Sequence, residues 1–176
     1  MGLFPDIFLE SPHRTHEIGG IVAEILKRLD QANLIITLDG PLGVGKTTFV
    51  QGFGEAWGLP AQEVVSPTFA LLHQYQGEQK SFSHLDLYRL GAQKDASPEA
   101  LEEFYAAGLE EFLEGIVLVE WPKRLPLDFW PQPRLEVLFH YLPGPSSTQA
   151  LRYLNFRGFL APEIYQEIER GFPEKD

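Results

Sequence analysis

A glycine-rich segment between an apolar run and an amphipathic stretch constrains the fold more than any other feature of this sequence. Residues 40–47, GPLGVGKT, fit the pattern Gly-x4-Gly-Lys-Thr, in which the glycines permit a tight turn around phosphate groups. The β-branched run 34–38 precedes the segment and predicts a buried strand. Large apolar residues at helical spacing follow it up to Trp57, and Gly58 and Pro60 then end the helix. A strand that enters a helix through such a turn predicts a phosphate-binding loop in an α/β fold.

The residue types of this segment suit a nucleotide and its magnesium ion. Backbone N–H groups of such a loop converge on phosphate oxygens, and the following helix adds the positive end of its dipole. Lys46 is expected to reach the β- and γ-phosphates of ATP, and Thr47 is expected to offer its hydroxyl to Mg²⁺. The alternative is a glycine-rich turn with a chance lysine, which the flanking strand and helix disfavour. The predicted nucleotide-binding residues of the loop are Gly43, Val44, Gly45, Lys46, Thr47 and Thr48.

Two carboxylates are candidates for the metal and water chemistry that such a loop requires. Glu120 ends the apolar strand 116–119, and Asp86 follows two residues after His84 in another predicted strand. An acid at the end of a neighbouring strand holds Mg²⁺ or its waters in phosphate-loop enzymes. The alternative for either acid is an exposed carboxylate at a strand end, since the chain has 25 Asp and Glu residues. His84 and His73 lack neighbours of ligand type and are interpreted as packed or solvent-facing rather than metal-binding.

Two further positions leave a structural and a functional interpretation open. The segment Ser66-Pro67-Thr68 is either a proline-stiffened turn, which the sequence alone favours, or a switch-like loop whose hydroxyl senses the γ-phosphate. Trp121 follows Glu120 directly and is either a core residue or an aromatic surface beside the nucleotide. Spacing along the sequence does not choose between the two interpretations of Trp121.

Composition and charge narrow the class of protein and partner. The chain has 176 residues, of which 44% are hydrophobic, which fits one folded domain over residues 1–176. The 14 Lys and Arg against 25 Asp and Glu give a net charge of −11, which disfavours direct contact with nucleic-acid backbones. The absence of cysteine excludes a disulfide scaffold, a thiolate zinc site and a cysteine nucleophile. No signal peptide and no apolar run approaching ~18 residues are present, so we expect a cytoplasmic protein without a membrane span.

The remaining periodicity predicts strands and helices in alternation. Helices are indicated at about 15–29 and 162–170, and Ser97-Pro98 is typical of the start of another. Buried strands that alternate with helices predict a three-layer P-loop NTPase fold around a mainly parallel β-sheet, in the α/β class. The further strands are predicted at 69–75, at 81–90 including its exit, at 116–119, at 135–142 and at 151–156.

The sequence also indicates which nucleotide and which type of reaction to expect. The Asn-Lys-x-Asp motif that reads guanine in Ras-type GTPases is absent, since the only asparagines are Asn33 and Asn155. A kinase usually carries a lid with several arginines. ATP hydrolysis coupled to a conformational change is therefore favoured, while a small-molecule kinase and a nucleotide-gated binding module without meaningful catalysis stay open as alternatives. In this sequence no such lid is visible, and the arginines in its second half are scattered, at Arg124, Arg134, Arg152 and Arg157.

Four segments together resemble the TsaE (YjeE) family, bacterial ATPases required for threonylcarbamoyladenosine on tRNA. They are GPLGVGKTTF at 40–49, SPTF at 66–69, HLDLYRL at 84–90 and VEWP at 119–122. The resemblance covers about residues 11–157 and implies a small P-loop fold around a largely parallel sheet. It implies that Thr47 and Glu120 hold Mg²⁺, and that Asp86 contributes to the metal site or orients the attacking water. The catalytic residues that it implies are Lys46, Asp86 and Glu120.

The same resemblance implies moving parts and a protein partner. The segment 11–15, ahead of the first helix and including Ser11 and Pro12, is implied to lie near the adenine, and Trp121 near the nucleotide. Family members resemble a motor that binds a TsaD–TsaB assembly, which ATP hydrolysis resets between turnovers, so tRNA is reached only indirectly through that assembly. The switch-like residues that the resemblance implies are Ser66, Thr68, Tyr88 and Arg89.

Overall fold

Seven strands in the described part of the chain form one sheet with helices on both faces. The computed structural model describes residues 5–60, 63–67, 70–77, 80–142 and 151–170. The strands are β1 (Ile7–Phe8), β2 (Leu34–Asp39), β3 (Leu72–Gln76), β4 (Ser81–Asp86), β5 (Ile116–Glu120), β6 (Arg134–Leu142) and β7 (Leu151–Gly158). The α-helices are α1 (Pro12–Arg28), α2 (Lys46–Ala56), α3 (Pro98–Ala106) and α4 (Ala161–Glu169). Short 3₁₀ helices lie between them at Leu90–Gln93, Leu109–Phe112, Pro122–Arg124 and Leu127–Phe129.

The centre of the sheet is parallel and its edges are antiparallel. The strand order is β1-β7-β6-β2-β5-β4-β3. Strand β2 pairs in parallel with β5 and β6, and β5 pairs in parallel with β4. The outer strands β3, β7 and β1 pair antiparallel with their neighbours. In this register Leu38 and Asp86 both lie opposite Glu120, so the carboxyl ends of β2, β5 and β4 meet at one edge of the sheet.

Apolar layers on both faces of the sheet confirm the predicted three-layer α/β arrangement. Alternate residues of β2 face opposite sides. Ile36 and Leu38 pack in the cluster beneath α1, α2 and α4, whereas Ile35 packs with α3. Because helices cover both faces, β2 and β5 are buried almost along their whole length. In the residues that the structure describes, no helix combines the length and the apolar character needed to cross a bilayer.

The first helix begins earlier than its apolar periodicity predicts. Helix α1 starts at Pro12 rather than Thr15, because the Ser11 hydroxyl accepts a hydrogen bond from the Arg14 N–H at 3.1 Å and caps the helix. Proline suits the first turn, where its missing N–H costs nothing. The expectation that 11–15 lies ahead of the helix is therefore wrong, since the segment is the cap and first turn of α1.

Other predicted boundaries shift by a few residues. The strand predicted at 81–90 ends at Asp86. The strand predicted at 69–75 begins at Leu72 and ends at Gln76, because Ala70 and Leu71 form a turn in which Leu71 has φ +64°, and Phe69 lies outside the described residues. The periodicity missed β1, because two residues are too short to show an alternation.

Candidate active site

The phosphate loop connects the end of β2 to the start of α2. Gly40 has φ +150° and Gly45 has φ +122°, which side chains rarely adopt. A Cβ at Gly40 would also lie 2.7 Å from the Phe139 carbonyl oxygen, and one at Gly45 would lie 3.2 Å from a Thr15 carbon. The loop is thus pressed between β6 and the first turn of α1. Because Thr15 contacts Gly45, the start of α1, with the Ser11 cap and Pro12, lies beside the phosphate loop.

The Lys46 side chain folds back over the loop. Its ammonium donates hydrogen bonds to the carbonyl oxygens of Gly40 at 2.8 Å and Pro41 at 2.9 Å, and it lies 4.0 Å from the ring centroid of Trp121. Burial lowers the pKa of the Lys46 ammonium below its ordinary value. Because desolvation makes the charge unfavourable here, an anion that entered the loop would stabilise it. Three carboxylates oppose the shift, those of Glu120, Asp86 and Asp39.

A hydrogen-bonded triad joins α2, β5 and β4. The Thr47 hydroxyl donates to Glu120 Oε1 at 2.8 Å, and His84 Nε2 lies 3.0 Å from the same oxygen. Both Glu120 and His84 are buried. Because the Thr47 hydrogen is directed at Glu120, the lone pairs of its oxygen are left for another group.

The donor set at this edge of the sheet fits Mg²⁺. Three or more Asp, Glu, His or Cys side chains do not cluster into a metal site anywhere in the described ranges. Mg²⁺ does not require such a cluster, since it usually takes one or two carboxylates together with phosphate oxygens and waters. Thr47 and Glu120 offer the hydroxyl and the carboxylate for that arrangement, beside a loop built for phosphate.

Asp86 is held by the segment predicted as a switch. Its Oδ2 accepts a hydrogen bond from the Ser66 hydroxyl at 2.9 Å, and its Oδ1 accepts one from the Tyr88 N–H at 3.0 Å. The carboxylate is buried at the end of β4, opposite Glu120 in the sheet register. The structure therefore brings Ser66, Tyr88 and Asp86 together. Arg89 is exposed, and Thr68 lies outside the described residues.

Trp121 forms one wall of the site and is half-buried. Its backbone is left-handed, with φ +60°, and its N–H donates to the Leu38 carbonyl at 3.3 Å, which turns the indole over Lys46. The Tyr88 ring packs 5.0 Å from the indole, centroid to centroid. The residue that sequence spacing left undecided thus contacts the phosphate-loop lysine and also packs against the apolar cluster on the α3 face of the sheet.

The chain is similar to known proteins over most of its length. The model of the family described as "Threonylcarbamoyl adenosine biosynthesis protein TsaE" matches residues 9–144. The chain belongs to the TsaE family. Two relatives named tRNA threonylcarbamoyladenosine biosynthesis protein TsaE are similar to it. The one from Nostoc sp. is 38% identical over 135 residues, 77% of this chain and 77% of the relative. The one from Synechocystis sp. is 41% identical over 122 residues, 69% of this chain and 72% of the relative.

A solved structure shows the likeness in fold. The crystal structure of Bacillus subtilis YdiB superposes with a TM-score of 0.61 and covers 97% of this chain and 98% of its own. The two sequences are 23% identical in that superposition, so this likeness concerns the P-loop fold alone. The family relationship itself rests on the sequence matches, which confirm the resemblance drawn from the four motifs.

Two of the arginines that are scattered along the sequence of this TsaE family member, Arg124 and Arg152, lie at the site. Arg124 is buried, pairs with Asp95 and donates to the Tyr88 carbonyl at 3.4 Å. Its guanidinium also lies 5.2 Å from the Trp121 ring centroid. Arg152 reaches the phosphate loop, where Nη1 donates to the Val44 carbonyl at 3.5 Å.

Sequence reasoning missed the second of these contacts for a physical reason. Arg152 and Tyr141 are partners in the β6–β7 register, and the Tyr141 hydroxyl donates to the Leu42 carbonyl at 3.5 Å. Residue 152 is 108 positions from Val44 along the chain, so only the pairing of β6 with both β2 and β7 brings it to the loop. The position of His84 beside the candidate acids had a detectable signal, because His84 and Asp86 are two apart on one strand and share a face, whereas its contact with Glu120 also needs the pairing of β4 with β5.

Proposed function

We propose that this chain is a Mg²⁺-dependent ATPase that acts in the formation of threonylcarbamoyladenosine in tRNA. It binds ATP at the phosphate loop and hydrolyses it slowly, and hydrolysis drives or resets a TsaD–TsaB assembly. The observation that carries the proposal is that one glycine-rich loop brings together the Lys46 ammonium, which lies over the loop, and the hydrogen-bonded pair of Thr47 and Glu120. Membership of a family named for threonylcarbamoyladenosine biosynthesis supports the pathway.

The residues divide the work of hydrolysis between them. Loop N–H groups and the Lys46 ammonium stabilise charge that develops on the γ-phosphate oxygens as water attacks. Thr47 and Glu120 hold Mg²⁺, which when bound neutralises phosphate charge. Asp86 orients the attacking water or completes the metal site, and Trp121 covers the loop.

The state of Asp86 supports slow turnover by the isolated chain. Both of its oxygens already accept hydrogen bonds, from the Ser66 hydroxyl and the Tyr88 N–H. Each oxygen keeps acceptor capacity for a water, but the two bonds fix the orientation of the carboxylate, which can change only if this arrangement rearranges. Ser66 lies in the segment between α2 and β3, and Tyr88 lies in the turn after β4. A partner that moves either segment would therefore release the Asp86 carboxylate.

The charge of the chain supports a protein partner. A net charge of −11 favours contact with proteins rather than with an RNA backbone. We therefore propose that tRNA is met only through the TsaD–TsaB assembly, and that the chain works in the cytoplasm.

The deciding experiment measures ADP release from Mg·ATP by the chain alone and then with purified TsaD–TsaB and tRNA. Strong stimulation that is lost in Lys46→Ala supports the proposal. ADP production that depends on an added metabolite would favour a small-molecule kinase instead. Partner binding that needs ATP but leaves it intact would favour a nucleotide-gated binding module, and rapid turnover without any partner would contradict the role of the assembly.

A further inference from the structure

The His84 imidazole is enclosed within the sheet beside the proposed metal ligand. The side chain is 0% exposed, and its Nε2 lies 3.0 Å from Glu120 Oε1. His84 and Asp86 lie on the same face of β4, and Glu120 projects from the neighbouring strand β5 toward that imidazole. The imidazole therefore contacts the same carboxylate oxygen as the Thr47 hydroxyl, but from the neighbouring strand.

Packing alone does not account for a histidine at this position. The other ring nitrogen, Nδ1, is buried and has no hydrogen-bond partner among the described residues. A buried polar atom without a partner is unfavourable, and an apolar side chain would avoid that cost. Neighbouring positions are in fact apolar, with Phe82 two residues earlier on β4 and Leu118 opposite His84 on β5. The bond to Glu120 is what the imidazole gains in return.

We propose that His84 is a positioning residue that fixes the Glu120 carboxylate for the Mg²⁺ site. The inference rests on the proposed Mg²⁺-dependent nucleotide binding. A glutamate carboxylate rotates about its last bond, and hydrogen bonds from two different elements stop that rotation. Thr47 donates from α2 and His84 from β4. Because an ionised carboxylate only accepts, His84 carries a hydrogen on Nε2. Such supporting bonds commonly set the affinity of a metal site.

The test compares the Mg²⁺ dependence of ADP binding in the wild type and in three variants of the full chain. In His84→Gln the side-chain amide places its nitrogen near the position of Nε2, whereas in His84→Asn the amide lies near Nδ1. His84→Leu removes the donor altogether. ADP affinity is measured by calorimetry without Mg²⁺ and across a Mg²⁺ titration. The matched control is His140→Gln, since His140 also has a buried nitrogen with no hydrogen-bond partner in the described part of the chain but stacks on Tyr153.

His84→Gln is expected to keep the apparent Mg²⁺ affinity within about three-fold, and His84→Asn and His84→Leu to lower it about ten-fold or more. ADP affinity without Mg²⁺ is expected to stay unchanged in every variant, and His140→Gln is expected to match the wild type throughout. Folding is checked by circular dichroism. If His84→Leu does not fold, the Gln and Asn variants carry the comparison.

Two outcomes overturn the positioning role specifically. One is an unchanged Mg²⁺ affinity in His84→Asn, and the other is an equal loss in His84→Asn and His84→Gln, which would indicate packing. A wild type that binds no ADP, or binds it without regard to Mg²⁺, would instead overturn the proposed function on which this role depends.

Discussion

The Glu120 carboxylate accepts the Thr47 hydroxyl hydrogen across 2.8 Å and so joins the start of α2 to the end of β5. The bond crosses 73 residues of sequence and depends on the parallel pairing of β2 with β5. It orients the hydroxyl oxygen without any ligand. The first turn of α2 and the acid at the strand end therefore act as one preorganised unit.

Removal of the Thr47 hydroxyl is expected to weaken Mg²⁺-dependent nucleotide binding while preserving the fold. Thr47→Val keeps the shape of the side chain but offers no oxygen to a cation and no hydrogen to Glu120. We expect the gain in ADP affinity on adding Mg²⁺ to fall about ten-fold or more. Thr47→Ser is the control, since it keeps the hydroxyl, and it is expected to resemble the wild type. Equal Mg²⁺ dependence in Thr47→Val and the wild type, measured by calorimetry, would contradict the assignment.

Loss of the Lys46 charge is expected to abolish useful nucleotide binding without a matching loss of stability. Lys46→Met keeps much of the apolar contact with Trp121 but cannot pair with phosphate. The assignment of Lys46 would be wrong if this variant bound Mg·ATP as tightly as the wild type in a titration.

The same residue predicts a pH dependence of stability. Burial lowers the Lys46 pKa in the folded chain below its ordinary value of 10.5. The unfolded chain therefore holds the proton more tightly, and the buried ammonium opposes folding at pH values below the folded pKa. This penalty fades as the pH rises through the folded pKa toward 10.5. Thermal unfolding at pH 7, 8.5 and 10 is expected to show the wild type gaining stability relative to Lys46→Met. A constant or falling difference would contradict the expected sign.

Trp121 is expected to report nucleotide binding by its fluorescence. The Lys46 ammonium lies 4.0 Å from its ring centroid, and a phosphate that draws this charge away changes the field at the indole. The other two tryptophans, Trp57 and Trp130, are buried. We expect ADP to change the emission of the wild type, and Trp121→Phe to remove that change. Trp130→Phe serves as the control and is expected to retain it. A signal that survives Trp121→Phe would place the nucleotide away from this indole.

Short-range patterns in the sequence were sufficient to predict the phosphate loop and the elements on either side of it. A β-branched run, glycines and a helical stripe lie within residues 34–57, so short-range patterns sufficed to predict β2, the phosphate loop and α2. The acid at the end of β5 also followed from position along its own strand. These features depend on neighbours in sequence, which periodicity detects.

The rest of the site depends on contacts between distant segments. Arg152 meets Val44 only because β7 returns antiparallel beside β6, and no local pattern specifies that pairing. Likewise, the orientation of Trp121 depends on a left-handed backbone and a bond to Leu38 across strands. The sequence alone favours a proline-stiffened turn at Ser66 and does not predict the contact of its hydroxyl with Asp86, although the two are compatible with each other.

Gly40 is expected to tolerate no side chain, because its φ is positive and an added Cβ would clash with Phe139. Gly108 serves as a comparison that separates these two effects. Gly40 has φ +150°, and a Cβ there would lie 2.7 Å from both the Cβ and the carbonyl oxygen of Phe139. Gly108 also has a positive φ, +66°, but nothing lies within 4 Å of an added Cβ. Gly108→Ala therefore carries backbone strain alone, about 1–2 kcal/mol. Gly40→Ala adds a clash with the backbone of β6, and we expect it to destabilise the chain by about 3 kcal/mol or more.

Urea unfolding of the two alanine variants measures this difference in stability directly. ADP titration shows whether the clash at Gly40 also lowers nucleotide affinity. Because β6 supports the loop at Gly40, any relief of the clash must move the loop away from Phe139. Gly40→Ala is therefore expected to lose nucleotide affinity even where it stays folded, whereas Gly108→Ala is expected to bind ADP normally. Equal unfolding free energies for the two variants would mean that the loop does not lie pressed against β6.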